Sequence, residues 1–174
     1  MGKTVIKFGL SESEINRAIK EVQQYKQDIQ RKTEILRDRI AEEIATNAQS
    51  GFTGAIVDDL LKGGKKYAEV TVDYSVEGNV VVVIANGTDA VWVEFGAGVY
   101  HNGSSGTSPH PKGAELGMTI GGYGKGMGKK STWGFRDADG NLHLTHGTPA
   151  IMPMYNSLKI VTEQIADIAK EVFT

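Results

Sequence analysis

The chain has 174 residues, of which 40% are hydrophobic and 23% are charged, and its formal net charge is −2. This length fits one domain with its own core, and the charge gives no argument for nucleic-acid binding by the whole molecule. Because the chain has no cysteine, disulfides and thiolate metal sites are excluded. We find no signal peptide and no membrane-spanning apolar stretch, so we expect a soluble, intracellular protein with no membrane partner.

The N-terminal part predicts one long helix. Ser11 and Glu14 form an S-x-x-E capping box, which marks a helix start. Apolar residues then recur at steps of three and four as far as Ala48, and no glycine or proline interrupts them before Gly51. A helix of roughly 37 residues would be about 55 Å long, which exceeds the width of a domain of this size. Its apolar stripe must therefore pack partly on another segment or subunit, unless the helix breaks near Thr33.

The start of this helix is the part that we expect to extend beyond the domain. Ile15, Ile19 and Val22 are the apolar residues furthest from the Gly51 turn. An exposed apolar row normally marks a protein partner, so these three residues are interface candidates.

Two hairpins are predicted in the middle and later parts of the chain. Residues 67–76 alternate between apolar and polar, and residues 80–85 are nearly all β-branched, so a glycine-containing turn joins two strands there. A second pair is predicted from residues 132–136 and 142–145. Residues 55–61 could be either a short helix or irregular structure.

The C-terminus predicts an amphipathic helix. Pro153 suits its first turn, and apolar residues from Met154 to Val172 form a stripe that reaches Phe173. We therefore expect a single α+β domain over residues 1–174. It comprises a long N-terminal helix, about four antiparallel strands in two hairpins, a long glycine-rich loop and a C-terminal amphipathic helix.

The stretch V-W-V-E-F-G-A-G, which ends at Gly98, precedes the glycine-rich loop. Trp92 and Phe95 are too large for a solvated loop, so we expect both in the core. Gly96 and Gly98 are not needed in a plain strand, which indicates a short buried helical turn or an extended piece. Glu94 lies between the aromatic residues, and a buried carboxylate must accept hydrogen bonds from nearby backbone or a basic residue.

The loop from Gly98 to Ser131 is too long to be a neutral connector. Its lysines make it locally basic, so it could contact DNA phosphates or an acidic protein, although a role in solubility is equally compatible. The interface candidates in this loop are Tyr100, His101, Tyr123, Lys125, Lys129 and Lys130.

The glycine run that ends at Ser131 fits neither common nucleotide-binding motif. A P-loop would require glycine where Tyr123 stands, and Lys130 separates Lys129 from Ser131. The glycine spacing also fits no G-x-G-x-x-G fingerprint, and no strand–loop–helix context surrounds it. A phosphate- or nucleic-acid-binding enzyme that uses this loop is therefore only an alternative.

No catalytic or metal-binding constellation stands out in the sequence. His143 and His146 are three residues apart, but His143 alternates with leucines on a predicted strand and is expected to face solvent. His101 and His110 lie in the loop. There is no G-x-S-x-G elbow and no possible cysteine nucleophile. We predict no enzymatic activity, no cofactor and no metal site.

Several short motifs follow one another in the second half of the chain. They are V-E-F-G-A-G at residues 93–98, the aromatic strand with Trp133, H-G-T-P-A at residues 146–150, and M-P before the last helix. Together they resemble the tail-completion or neck protein family of long-tailed bacteriophages. Residues 47–54 also resemble the end of a helix in that family, so the resemblance covers roughly residues 41–174. The structural motif residues are Trp92, Glu94, Phe95, Gly96, Gly98, Pro149 and Pro153.

This resemblance implies a structural virion protein without enzymatic activity. Such proteins are made in the host cytoplasm and form rings, here expected to contain six copies or more, in the phage neck. We therefore interpret the loop from Gly98 to Ser131 as a contact between rings. Head-closure or connector proteins lie on one side, and tail-tube or tail-terminator proteins on the other. Viral DNA passes through the lumen without sequence-specific binding. A tail terminator ring, which caps the tail tube, is the alternative within the same class.

Overall fold

The computed structural model describes residues 5–59, 64–96, 110–116, 132–136 and 139–174. The elements within these ranges confirm the predicted α+β fold with a long first helix and a terminal helix. In chain order they are α1 (Glu12–Thr53), β1 (Ile56–Asp59), β2 (Gly64–Tyr67), β3 (Thr71–Glu77), β4 (Val80–Asn86), α2 (Ala90–Phe95), β5 (Trp133–Arg136), β6 (Leu142–Thr145) and α3 (Pro153–Phe173).

Helix α1 is continuous over 42 residues, so the alternative of a break near Thr33 is wrong. At a rise of 1.5 Å per residue it is about 63 Å long. The predicted capping box is present at its start, where Ser11 Oγ accepts a hydrogen bond from the Glu14 N–H at 3.4 Å. The Ser11 hydroxyl also donates to the Glu14 carboxylate at 2.6 Å, and this bond lowers the pKa of Glu14.

The described strands pair as three separate antiparallel hairpins rather than two. The β3–β4 hairpin was predicted, but β3 begins at Thr71, because the preceding strand β2 pairs with β1 instead. The β1 segment is a strand, so both interpretations of residues 55–61, helical and irregular, are wrong for residues 56–59. Its Val57 is buried in the core, and the Ala68 N–H bonds to the Ala55 carbonyl at 2.9 Å. The burial of Val57 explains why this short segment is ordered as a strand.

The hydrophobic core lies at the C-terminal end of α1. It gathers Phe52, Ala55, Val57, Val70, Ala90 and Val93. Helix α3 packs on the same end of α1 through the buried residues Val161 and Ile168. The contact is close, since a Cβ added at Gly51 would lie 3.0 Å from the Cβ of Pro153. The end of α1 therefore organises both the hairpins and the last helix.

Two predictions about side-chain burial need correction. Trp92 and Phe95 are only half-buried, whereas Val93 between them is fully buried. Helix α2 is short, and its inward-facing side is occupied by Val93 rather than by Trp92 and Phe95. His143 is buried at 9% exposure, not solvent-facing, while Leu142 is 46% exposed. The alternation on β6 was therefore recognised, but the two faces were assigned the wrong way round.

Most of the glycine-rich loop lies outside the described residues, apart from residues 110–116. The prediction that the loop forms a contact between rings therefore stays a prediction. Of the candidate residues, the undescribed ones are Gly98, Tyr100, His101, Tyr123, Lys125, Lys129 and Lys130. Among the helices in the described ranges, none combines the length and apolar character needed to span a membrane.

Candidate functional site

The end of α2 and the start of α3 meet in space although they are far apart in sequence. The Ile151 N–H donates to the Val93 carbonyl at 2.9 Å. Gly96 adopts a φ of 82°, and a Cβ there would lie 3.0 Å from the Ala150 backbone nitrogen. Only glycine tolerates both conditions. We call this region, formed by residues 93–96, His110 and residues 148–155, the α2–α3 junction.

The carboxylate of Glu94 caps helix α3 from outside that helix. Glu94 Oε2 accepts the Met154 N–H at 2.8 Å, and Oε1 accepts the Tyr155 N–H at 3.0 Å. Met152 at the N-cap position makes no side-chain cap, and Pro153 has no N–H to offer. The first N–H groups of a helix lack hydrogen-bond acceptors within the helix, and negative charge is favourable at a helix N-terminus. The Glu94 carboxylate supplies both the acceptors and the negative charge. This confirms the role predicted for Glu94.

His110 completes the junction from the glycine-rich segment. The Lys112 N–H donates to His110 Nδ1 at 3.0 Å, so Nδ1 is an acceptor and the proton lies on Nε2. Nε2 then donates to Glu94 Oε1 at 3.1 Å. The imidazole ring also lies against Phe95 and Tyr155, with ring centroids 4.2 and 5.4 Å away. His110 thereby fixes residues 110–116 to the start of α3.

Met152 shows that the junction imposes a strained backbone. It has a φ of 59°, in the left-handed region, and it is the only described residue other than glycine with a positive φ. Such a conformation costs on the order of 1–2 kcal/mol for a residue with a Cβ. The Met152 N–H points to the Val93 carbonyl at 3.4 Å, beside the stronger bond from Ile151. The chain turns sharply here so that α3 begins over the Glu94 carboxylate.

Gln49 fixes the β3–β4 hairpin to α1. Its Oε1 accepts the Val72 N–H at 2.8 Å, and its Nε2 donates to the Val70 carbonyl at 3.1 Å. The amide thus pairs with the edge of β3 as a neighbouring strand would. At the other end of the hairpin, Arg37 donates to the Gly78 carbonyl at 3.0 Å. The hairpin is therefore held on α1 at both ends.

The first part of α1 has few neighbours among the described residues. From Glu12 to Gln27 every residue is exposed, apart from half-buried Glu14 and buried Ala18. We call residues 12–27 the arm. The arm spans about 24 Å. It carries the three interface candidates of the sequence analysis, and these are 38% exposed at Ile15, 49% at Ile19 and 54% at Val22.

Two residues of this arrangement were missed by sequence reasoning. His110 was noted only as a loop histidine, since nothing in the sequence pairs it with a glutamate 16 positions earlier. Gln49 looked like an ordinary polar position of a helix, and no sequence signal could have revealed its pairing with β3.

Pro149 is exposed at the rim of the junction, and Pro153 is buried within it.

The described residues contain no group of three or more side chains suited to hold a metal ion. Comparisons of the chain with protein-family models, with curated proteins and with solved structures find no match. The described features that bear on function are therefore the α2–α3 junction, where two motifs meet, and the arm.

Proposed function

We propose that the chain is a ring-forming structural protein of a phage head–tail connector, in the neck or tail-completion position. The observation that carries this proposal is the α2–α3 junction. Two motifs of the family resemblance, at residues 93–98 and 146–153, lie far apart in sequence. Their described residues contact each other through the Val93 carbonyl, which accepts the Ile151 N–H at 2.9 Å, and through Gly96, which lies against Ala150. The motifs are therefore parts of one structural unit, which supports the resemblance beyond a chance likeness of short strings.

The arm gives independent support for assembly. The side chains of Ile15, Ile19 and Val22 are about half exposed, and such a row normally marks a protein partner. A closed ring needs two different complementary surfaces on each copy, related by a rotation. A chain with a projecting helix and a separate packed body is suited to such a contact.

In this role the protein joins the connector to the tail tube and has no enzymatic activity. Its partners are further copies of itself, head-closure or connector proteins, and tail-tube or tail-terminator proteins. Viral DNA passes through the lumen without sequence-specific binding. The protein is made in the host cytoplasm and resides in the virion.

The test is assembly of the purified full-length chain. Negative-stain electron microscopy and native mass spectrometry should show closed rings of one copy number, with a lumen wide enough for duplex DNA. Rings should also bind recombinant connector or tail-tube protein from the same phage genome, and added nucleotides should not shift the melting temperature. A strict monomer at the highest soluble concentration that binds neither protein would refute the proposal.

A further inference from the structure

The β3–β4 hairpin has an inner face and an outer face. Val72 and Ala85, which are cross-strand partners, pack against the core cluster at the end of α1. Because side chains alternate along a strand, the neighbouring positions point to the opposite side. The outer face therefore carries four cross-strand pairs, which are Thr71 with Asn86, Asp73 with Ile84, Ser75 with Val82 and Glu77 with Val80.

This outer face is divided into an apolar column and an acidic column. The apolar column consists of Val80, Val82 and Ile84 on β4, with Val80 61% and Ile84 44% exposed. Beside it on β3 stand the exposed carboxylates Asp73 and Glu77. Neither carboxylate forms an ion pair with any described residue. An exposed apolar column beside two unpaired carboxylates therefore suits a partner that is both apolar and positively charged.

The arm carries a matching surface. Residues three or four positions apart share one face of a helix, which places Lys26 in line with Ile15, Ile19 and Val22. Lys26 is exposed and forms no ion pair within the described part of the chain. The arm therefore presents an apolar row followed by one unpaired positive charge.

We propose that the arm of one copy packs along the apolar column of the β3–β4 hairpin in a neighbouring copy. The inference rests on the proposed ring, and it names the surface between adjacent subunits. The row from Ile15 to Val22 is about 10 Å long, and the column from Val80 to Ile84 is about 13 Å long. A carboxylate stands beside each end of the column, so Lys26 meets Asp73 or Glu77 in either direction of packing.

The contact must form between copies rather than within one. The inner face of the hairpin lies on α1, so the outer face points away from the helix that would have to cover it. The two surfaces also differ from each other, which makes the contact heterologous. A heterologous contact closes a ring when its rotation is a simple fraction of a turn.

The absence of cysteine from the chain permits a direct test by disulfide crosslinking. Full-length Ile19→Cys and Val82→Cys proteins are mixed, oxidised and analysed on a non-reducing gel. A crosslinked dimer is expected in the mixture and not in either variant alone. Ile35→Cys mixed with Val82→Cys is the matched control, because Ile35 is 46% exposed on the opposite side of α1.

The outcomes separate the two proposals. A dimer from Ile19→Cys alone would show that arms pack on arms, and it would overturn this inference. Rings seen by electron microscopy without the mixed crosslink would also overturn it, while leaving the proposed function intact. A protein that forms neither rings nor crosslinks, and binds neither connector nor tail-tube protein, would refute both.

A charge exchange provides the second measurement. Lys26→Glu should weaken self-association at least about tenfold, because it places like charges together. The triple variant Lys26→Glu, Asp73→Lys, Glu77→Lys should recover much of the loss. Lys20→Glu, on another face of the arm, should change association little. Equal effects of Lys26→Glu and Lys20→Glu, or no recovery in the triple variant, would contradict the proposed pairing.

Discussion

The two ends of helix α1 follow the same helical pattern but have different surroundings. From residue 41 to residue 53 the buried positions are Ala41, Ala45, Ala48 and Phe52, which face α3 and the core. In the arm, the larger residues Ile15, Ile19 and Val22 are all exposed, while the small Ala18 is buried. Apolar periodicity therefore predicts a helix, but it does not reveal whether the apolar face is covered by the same chain.

The sizes of the side chains explain the difference. Small residues at the C-terminal end let α3 and the hairpins approach closely, as the tight contact between Gly51 and Pro153 shows. One large residue, Phe52, then fills the space among them at 0% exposure. Within the described part of the chain, the arm carries large exposed apolar side chains, which is the pattern of a surface covered by another subunit.

The first prediction tests the packed end of α1 and has the largest expected effect. Phe52→Ala should destabilise the protein by about 3–5 kcal/mol, because it leaves a cavity in the core. Ile35→Ala, at an exposed position of the same helix, is the control and should cost much less. Urea denaturation followed by circular dichroism measures both. Equal losses would mean that Phe52 is packed no more tightly than an exposed position of the same helix.

The second prediction tests the cap of α3. Glu94→Gln should cost about 1–3 kcal/mol, since one neutral oxygen replaces two charged ones and one of the partly buried N–H donors at Met154 and Tyr155 loses its acceptor. Glu163→Gln, an exposed change within α3, should be nearly neutral. Thermal denaturation of both variants gives the comparison. An unchanged stability for Glu94→Gln would show that the helix start does not depend on this carboxylate.

The third prediction concerns the hairpin. Gln49→Ala should cost about 1–2 kcal/mol, because it removes hydrogen bonds to the backbone of Val70 and Val72 and leaves the Val72 N–H without its acceptor. Hydrogen exchange should increase first at Val72. If exchange there stays as slow as in the wild type, the hairpin is held by other contacts.

The sequence predicted the elements better than their arrangement. The length of α1, the capping box and the α3 stripe follow from local spacing, so all three could be read directly from the residues. The role of Glu94 could be predicted, because a carboxylate between two aromatic residues needs donors. Strand β1 was missed because its four residues show too little alternation, and Val57 is ordered by distant core neighbours. The contacts of His110 and Gln49 are long-range, so no local pattern encodes them.

The last prediction tests the arm and has the smallest expected effect on stability. Changing Ile15, Ile19 and Val22 together to Ser should alter the free energy of unfolding by no more than about 0.5 kcal/mol per position, as for exposed sites generally. Serine and isoleucine have similar helix propensities, so the helix itself should persist. The melt of the monomer should therefore stay cooperative and nearly unchanged.

The same triple variant should have a large effect on assembly. Burying a whole isoleucine side chain contributes about 1.5–3 kcal/mol. Because Ile15, Ile19 and Val22 are about half exposed in the monomer, we take half of this value for each, which gives roughly 3 kcal/mol of association free energy for the three residues. Self-association, measured by sedimentation, should therefore weaken about a hundredfold. A control with Lys20, Gln24 and Gln27 changed to Ser alters the opposite face of the arm and should associate normally. Association equal to the wild type would show that the arm is not an interface. Unfolding of the triple variant would instead place these residues in the monomer's own core, and the contrast between the two ends of α1 would be lost.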